Sequence, residues 1–228
     1  MEKAQVVIQT AFLGDLILSI PFLKRVKKIA PDQKLILVCK KGLGTFLQYQ
    51  GVIDGFCEIE KGNRNSYQEA RGHLNQFEIT NLFCVHRSVR STLFSGQLKA
   101  KNKIGFKSFL SFFIFHKNLI YEKTWPDAIR KFRLLESLDA EVKTALYNQD
   151  FSSLNSVNEA GEMPAIPKIF SFMKFKRSFH GGQQKQVCVF PGSVWATKRW
   201  TEEGFVDVVR ELIQKKFKVL LLGGPDEK

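Results

Sequence analysis

The chain has 228 residues, 35 Lys and Arg against 22 Asp and Glu, and a formal charge of +13. With 44% hydrophobic and 25% charged residues it has globular proportions, which excludes intrinsic disorder, collagen and a coiled coil. Cys39, Cys57, Cys84 and Cys188 form no CxxC pair and no zinc-ligand spacing, so free thiols in a reducing compartment are expected.

Short apolar runs alternate with helical patterns along the chain, which predicts an α/β fold. The first strand is VVIQ at 6–9, and a helix is expected over 15–30. Leu16, Ile20, Leu23 and Val26 face inward in that helix, with Lys24, Arg25, Lys27 and Lys28 outward. Pro21 inside the pattern kinks it or marks an irregularity, and Pro31 ends it. Further strands are read at 35–39, 55–59, 79–85, 103–106 and 118–121, and a helix over 125–138 puts Trp125, Ala128, Ile129, Phe132 and Leu135 on one stripe. From 148 to 167 the periodicity gives way to Ser, Asn, Gly and Pro, the composition of a linker. A second unit then reads as strand, helix and strand: QVCVF at 186–190, a helix capped by Thr201 with Phe205, Val208, Val209, Leu212 and Ile213 inward, and KVLLLGG at 218–224. The expected domains are 1–147, a crossover over 148–185, and 186–228 as the start of a second domain that is too short to be complete.

Three segments of the first unit are candidates for chemistry. In TAFLGDLILSIP, Gly14 opens the turn to a ligand and Asp15 stands at the first position of a helix, where it either caps the helix or serves as a general base. The segment matches neither GxGxxG nor the Walker loop. In HRSVRS, His86, Arg87 and Arg90 follow the strand that runs through Val85, and Arg87 and Arg90 fall on one helical face and either clamp an anion or stand in solvent. In SFLSFFIFHK, Phe109, Phe112, Phe113 and Phe115 lie between Lys107 and Lys117; a buried helix or strand is the plainer expectation, a membrane interface the other.

Two segments of the second unit follow the same logic. In PGSVWATKRW, Gly192, Ser193, Lys198 and Arg199 precede a helix N-terminus, an arrangement suited to a phosphate or diphosphate; alternatively the cations are solvated and Trp195 and Trp200 cover the core. In GGPDE, acids after a strand end either meet sugar hydroxyls or form a surface turn. The basic charge is concentrated: 79–121 and 163–201 contain Lys and Arg but no acid. This admits nucleic acid, an anionic membrane surface or phosphorylated small molecules as partners. Strand aromatics of the RNA-binding kind, HExxH and GxSxG are missing. No stretch approaches the roughly 18 apolar residues of a membrane span and no signal-peptide start is present, which leads to a cytoplasmic expectation.

Taken in order, GDLILSIPFLKRVKK, HRSVRS, KNKIGF, PGSVWATKRWTEEGFVDVVREL and VLLLGGPDE resemble glycosyltransferase family 9, the bacterial lipopolysaccharide heptosyltransferases. The resemblance implies a GT-B architecture, two Rossmann-like domains facing a cleft, and inverting transfer of heptose from ADP-heptose to a Kdo or heptose of the inner core. It makes Asp15 the general base, and assigns Lys198 to the donor diphosphate with Gly192 and Ser193 beside it, and Glu227 to donor hydroxyls. Gly14, Arg87, Arg90 and Lys103 fall on the acceptor side. It implies no cofactor and no metal, a lipid A–Kdo type acceptor, a peripheral position on the inner face of the cytoplasmic membrane, and no nucleic-acid partner. The family's later DxGxxH-type loop has no counterpart, so a truncated or inactive form is expected. The rival reading is a basic, non-catalytic module that binds nucleic acid or an anionic membrane.

Overall fold

The computed structural model describes residues 1–148, 186–193 and 199–223, and the chain divides into two units, Met1–Lys176 and Arg177–Lys228. In the first unit the strands β1 (Glu2–Gln9), β2 (Lys34–Lys40), β3 (Gly55–Ile59), β4 (Phe77–Cys84), β5 (Ala100–Phe106) and β6 (Lys117–Leu119) form one parallel sheet in the order β3-β2-β1-β4-β5-β6. The strand order therefore reverses between β1 and β4, where two parallel strands lie side by side without following each other in the chain.

Residues 4–9 of β1 are all buried, as expected for a central parallel strand covered on both faces. Ala4, Val6 and Ile8 pack with Ile36, Val38, Leu82 and Cys84 in one core cluster. Val7 joins Leu35, Leu37 and Phe83 in the other. Gln5 and Gln9 share Val7's alternation, and their buried amide nitrogens are paired: Gln5 Nε2 donates to the Val26 carbonyl at 2.9 Å and Gln9 Nε2 to Ser19 Oγ at 3.1 Å.

Helices α1 (Leu13–Ile17) and α2 (Ile20–Ile29) replace the single helix expected over 15–30. The break falls at Leu18 and Ser19, so Pro21 stands in the first turn of α2, where its missing N–H costs no helical hydrogen bond. Arg25, expected outward, is buried: it forks onto Asp139 at 2.6 and 2.9 Å and reaches Glu141 at 2.6 Å. Phe22, Leu23 and Val26 of α2 join the Val7 face.

Helices α3 (Gly44–Tyr49), α4 (Arg64–Leu74) and α5 (Val89–Gln97) follow β2, β3 and β4 in the chain. Only Ala70 and Leu74 are buried in α4, while α5 buries Ser91, Thr92 and Ser95 beside Phe94. Neither helix carries the broad apolar stripe that would have marked it in the sequence. The short α6 (Ser111–Ile114) precedes β6. Around it the expectation of a buried aromatic segment fails: Phe115 is buried, but Phe109, Phe112 and Phe113 are exposed. The helix expected over 125–138 is α7 (Asp127–Phe132) continued by a 3-10 turn over Arg133–Leu135, and α8 (Ala140–Asn148) follows.

Burial raises the thiol pKa of Cys39 and Cys84 to about 12 and that of Cys57 to about 11, so these cysteines act as small apolar groups. Cys188 is exposed.

In the second unit β7 (Gln186–Val189) pairs in parallel with β8 (Lys218–Leu221), and α9 (Glu202–Gln214) lies between them in the chain, a βαβ unit. Thr201 Oγ1 accepts from the Gly204 amide at 3.2 Å, the predicted cap. The expected inward stripe is only partly covered: Phe205, Val209 and Leu212 are half-buried, while Val208 and Ile213 are exposed. Among the described residues only two strands are available to cover this helix.

Candidate functional site

In an open α/β sheet ligands bind outside the carboxyl ends of the strands, where strand order reverses. Here that place is the junction of β1 and β4. The amides of Val85 and His86 both donate to the Ile8 carbonyl, at 3.0 and 3.2 Å, and tie the segment after β4 to the end of β1. Thr10, just after β1, places its hydroxyl 2.6 Å from His86 Nδ1 and 2.9 Å from Ser91 Oγ. Ser88 caps α5 by accepting from the Ser91 amide at 3.1 Å, and its hydroxyl donates to Ser91 Oγ at 2.9 Å. Burial pushes the His86 imidazole below its ordinary pKa, opposed by the charge of Asp15.

Asp15 is the third residue of α1, and the cap position belongs to Phe12, which contributes no side-chain bond. The reading of Asp15 as the helix cap is therefore incorrect, although its place in the first turn still suits the helix dipole. Its side chain is half-buried, and among the described residues none donates a hydrogen bond to its carboxylate. Its backbone carbonyl accepts from Ser19 Oγ at 2.7 Å and from Lys131 Nζ at 2.9 Å. Lys131 is buried and lies 2.5 Å from Asp127. Burial lowers the pKa of its ammonium, while Asp127 and Asp15 oppose the shift. Gly14 is exposed, and a Cβ there would meet nothing within 4 Å, so the fold leaves the space above it open.

The other acceptor-side candidates diverge. Arg87 and Arg90 do not share a helical face, because α5 begins only at Val89 and Ser88 before it is extended. The Arg87 guanidinium lies over the Tyr121 ring at 4.0 Å, with Arg130 over the same ring at 4.3 Å and also donating to the Tyr121 hydroxyl. Arg90 instead lines a cavity of about 410 Å³ together with Arg64, Arg71, Tyr67, Leu93 and Phe94. Lys103 pairs in register with Leu82, short of the strand ends, and its Nζ donates to the Gly96 carbonyl at 3.2 Å. It therefore stands apart from the junction of β1 and β4.

In the second unit Gly192 and Ser193 follow β7, and Arg199 Nε donates to the Ser193 carbonyl at 2.7 Å. Trp200 packs edge-on against Phe205 with ring centroids 5.3 Å apart, yet remains 56% exposed, so it covers the apolar side of α9 only in part. Lys198, Trp195 and Glu227 lie outside the described residues. Among the described residues no cluster of His, Cys, Asp and Glu is arranged to hold a metal ion, and no helix is long and apolar enough to cross a membrane.

Thr10, Ser91, Tyr121, Arg130 and Lys131 were not singled out in the sequence. Thr10 and Lys131 acquire their places through contacts with distant segments and Tyr121 through Arg87, whereas His86 and Ser91 both lie in the HRSVRS motif and Arg130 reaches Tyr121 within nine residues.

The reversed strand order, with polar side chains gathered at the carboxyl edge, defines a Rossmann-type α/β sheet with a candidate ligand site. The profile of glycosyltransferase family 9 (heptosyltransferase) matches residues 73–228, and the chain belongs to that family. Among solved structures, a family 9 glycosyl transferase from Veillonella parvula DSM 2008 matches with a TM-score of 0.72 at 20% identity, over 99% of this chain and 63% of that one. E. coli heptosyltransferase WaaC with ADP matches with a TM-score of 0.67 at 14% identity, over 100% of this chain and 69% of that one. WaaC with ADP-2-deoxy-2-fluoro heptose gives the same score and identity over 70% of its chain. These likenesses show the fold, an α/β architecture of the GT-B type, and the chain spans less than two thirds of the Veillonella protein. No curated protein matches the chain by sequence.

Proposed function

We propose that this chain carries the base and acceptor side, and part of the donor side, of an inverting transferase that moves heptose from ADP-heptose onto a Kdo or heptose of the lipopolysaccharide inner core. The observation that carries the reading is the place of Asp15. A carboxylate with no hydrogen-bond donor among the described side chains follows β1 where β1 and β4 open the sheet, within electrostatic reach of the His86 imidazole. That is the arrangement a general base needs.

In the proposed reaction the acceptor hydroxyl attacks the anomeric carbon while Asp15 takes its proton. The bond from that carbon to the diphosphate oxygen breaks, and ADP leaves with the electron pair. One displacement inverts the anomeric centre. Charge develops on the departing diphosphate, and Lys198, with Gly192 and Ser193 beside it, is proposed to meet that charge. Glu227 is proposed to hold donor hydroxyls. Neither a cofactor nor a metal enters this scheme. Arg87 over Tyr121, and Arg90 with Arg64 and Arg71, are proposed to take the acidic groups of the acceptor, because guanidinium groups bind carboxylate and phosphate in forked pairs. The choice of an ADP-linked heptose as donor is supported by the family's description as heptosyltransferases and by the ADP-bound relative.

The test is release of the nucleoside diphosphate measured by chromatography, ADP from ADP-heptose or UDP from UDP-glucose, with a Kdo-containing acceptor present or absent. The reading predicts release that requires both ADP-heptose and the acceptor. Release from UDP-glucose alone, or release from ADP-heptose independent of the acceptor, contradicts it.

A further inference from the structure

The segment around α6 presents three phenyl rings to solvent: Phe109 is 89% exposed, Phe112 75% and Phe113 80%. Phe112 and Phe113 meet edge-on, with ring centroids 5.7 Å apart. The segment is firmly built. The buried Ser111 hydroxyl accepts from the Ser108 amide at 2.7 Å and donates to the Ser108 carbonyl at 2.8 Å, closing the turn that precedes the helix. The Lys107 amide donates to Leu119 at 2.7 Å and the Phe115 amide to Ser111 at 2.8 Å. Phe115 lies so close over Gly105 that a Cβ there would come within 2.2 Å of its ring. One aromatic therefore anchors the segment while three others stay outside, a cluster that a soluble surface does not leave uncovered without use.

The charge around these rings selects the partner. Lys107 is exposed and Lys117 half-buried at the two ends of the segment, Lys99 is exposed on the loop before β5, and residues 79–121 contain no acid. Of the remaining lysines nearby, Lys101 is paired with Glu78 at 2.5 Å and Lys103 is bound to Gly96. A second copy docked about a two-fold axis would set these cations against their own counterparts. An anionic bilayer instead offers acyl chains to the phenyl rings and phosphates to the lysines.

We infer that residues 107–117 form a membrane-docking element, which seats Phe109, Phe112 and Phe113 in the interface of an anionic bilayer with Lys107 and Lys117 at the phosphate level. This rests on the surface itself and not on the proposed sugar transfer.

Flotation of the 228-residue chain with vesicles of phosphatidylcholine, or of phosphatidylcholine mixed with phosphatidylglycerol, tests it. The chain is expected to float with the anionic vesicles. Phe109→Ser/Phe112→Ser/Phe113→Ser should lower the bound fraction about tenfold or more, since partial burial of several phenyl rings contributes at least that factor. Lys107→Gln/Lys117→Gln should weaken binding to the anionic vesicles alone. The fluorescence of Phe112→Trp should shift to the blue on mixing, which reports insertion without removing the apolar surface. A wild-type chain that stays with the soluble fraction in both mixtures overturns the inference. So does a triple variant that floats like the wild type, or a concentration-dependent dimer that the triple variant abolishes without any vesicle binding. The vesicles carry no sugar acceptor, so these outcomes leave the reading of Asp15 as it stands.

Discussion

The ammonium of Lys131 donates to the backbone carbonyl of Asp15 at 2.9 Å, so α7 braces the short helix that carries the candidate base. Asp127 holds the other side of the same ammonium at 2.5 Å. Lys131→Met keeps much of the volume but removes both bonds. It is expected to cost about 1–3 kcal/mol in urea denaturation, the range for losing a buried polar contact beside a partly exposed partner. As a positioning residue, Lys131 should also lower kcat more than it changes donor affinity. Unchanged stability together with unchanged kcat would remove Lys131 from this role.

The Arg25 pair gives a pH prediction. Burial works to raise the pKa of the Asp139 carboxyl, but hydrogen bonds from Arg25 and the Val142 amide outweigh it and hold the group below its ordinary value. A carboxyl whose pKa is depressed on folding contributes stability that is present above its unfolded pKa, about 3.9, and is lost as pH falls through the lower folded value. Asp139→Asn should therefore cost about 3 kcal/mol at neutral pH, since it leaves Arg25 buried with Glu141 alone, and should flatten the fall in stability below about pH 4. Parallel acid-denaturation curves for wild type and variant would contradict this.

Arg90 separates the acceptor assignment from a solvated arginine. Arg90→Ala should raise the acceptor KM about tenfold, one charge-assisted contact, and leave the donor KM unchanged. Steady-state kinetics with each substrate varied in turn decides it; equal effects on the two substrates would move Arg90 away from the acceptor.

What was legible in the sequence follows physical locality. Val6 to Gln9 and Leu35 to Cys39 read as strands because parallel strands covered on both faces are continuous apolar runs, and the structure lengthens each only at its ends. Thr201 and its acidic first turn read as a helix start because capping is local. Helix α4 escaped because long polar residues dominate it and only Ala70 and Leu74 are buried, and α5 showed only its start in HRSVRS because Ser91, Thr92 and Ser95 fill positions where an apolar stripe would have declared it. Arg25 was placed outward because its partners lie more than a hundred residues away, where spacing carries no information. The same holds at the site. Asp15 and His86 were visible beside their strands, whereas Thr10, Tyr121 and Lys131 gain their positions from contacts between segments far apart in sequence, Tyr121 with Arg87.

Lys198 is the donor-side test. Lys198→Ala should weaken ADP binding about ten- to a hundredfold by calorimetry, the loss of one charge-assisted contact to a diphosphate. Unchanged affinity in a folded variant would contradict the assignment.

The most direct measurement is the turnover of Asp15→Asn in an active protein that contains residues 1–228. Because Phe12 holds the cap position, the substitution removes no cap, and stability should change by only a few tenths of a kcal/mol through the helix dipole. Asparagine cannot accept the acceptor's proton. Heptose transfer should fall about a hundred- to ten-thousandfold in kcat while ADP affinity stays constant. A variant that keeps its melting temperature and more than about half its turnover would show that Asp15 is not the base.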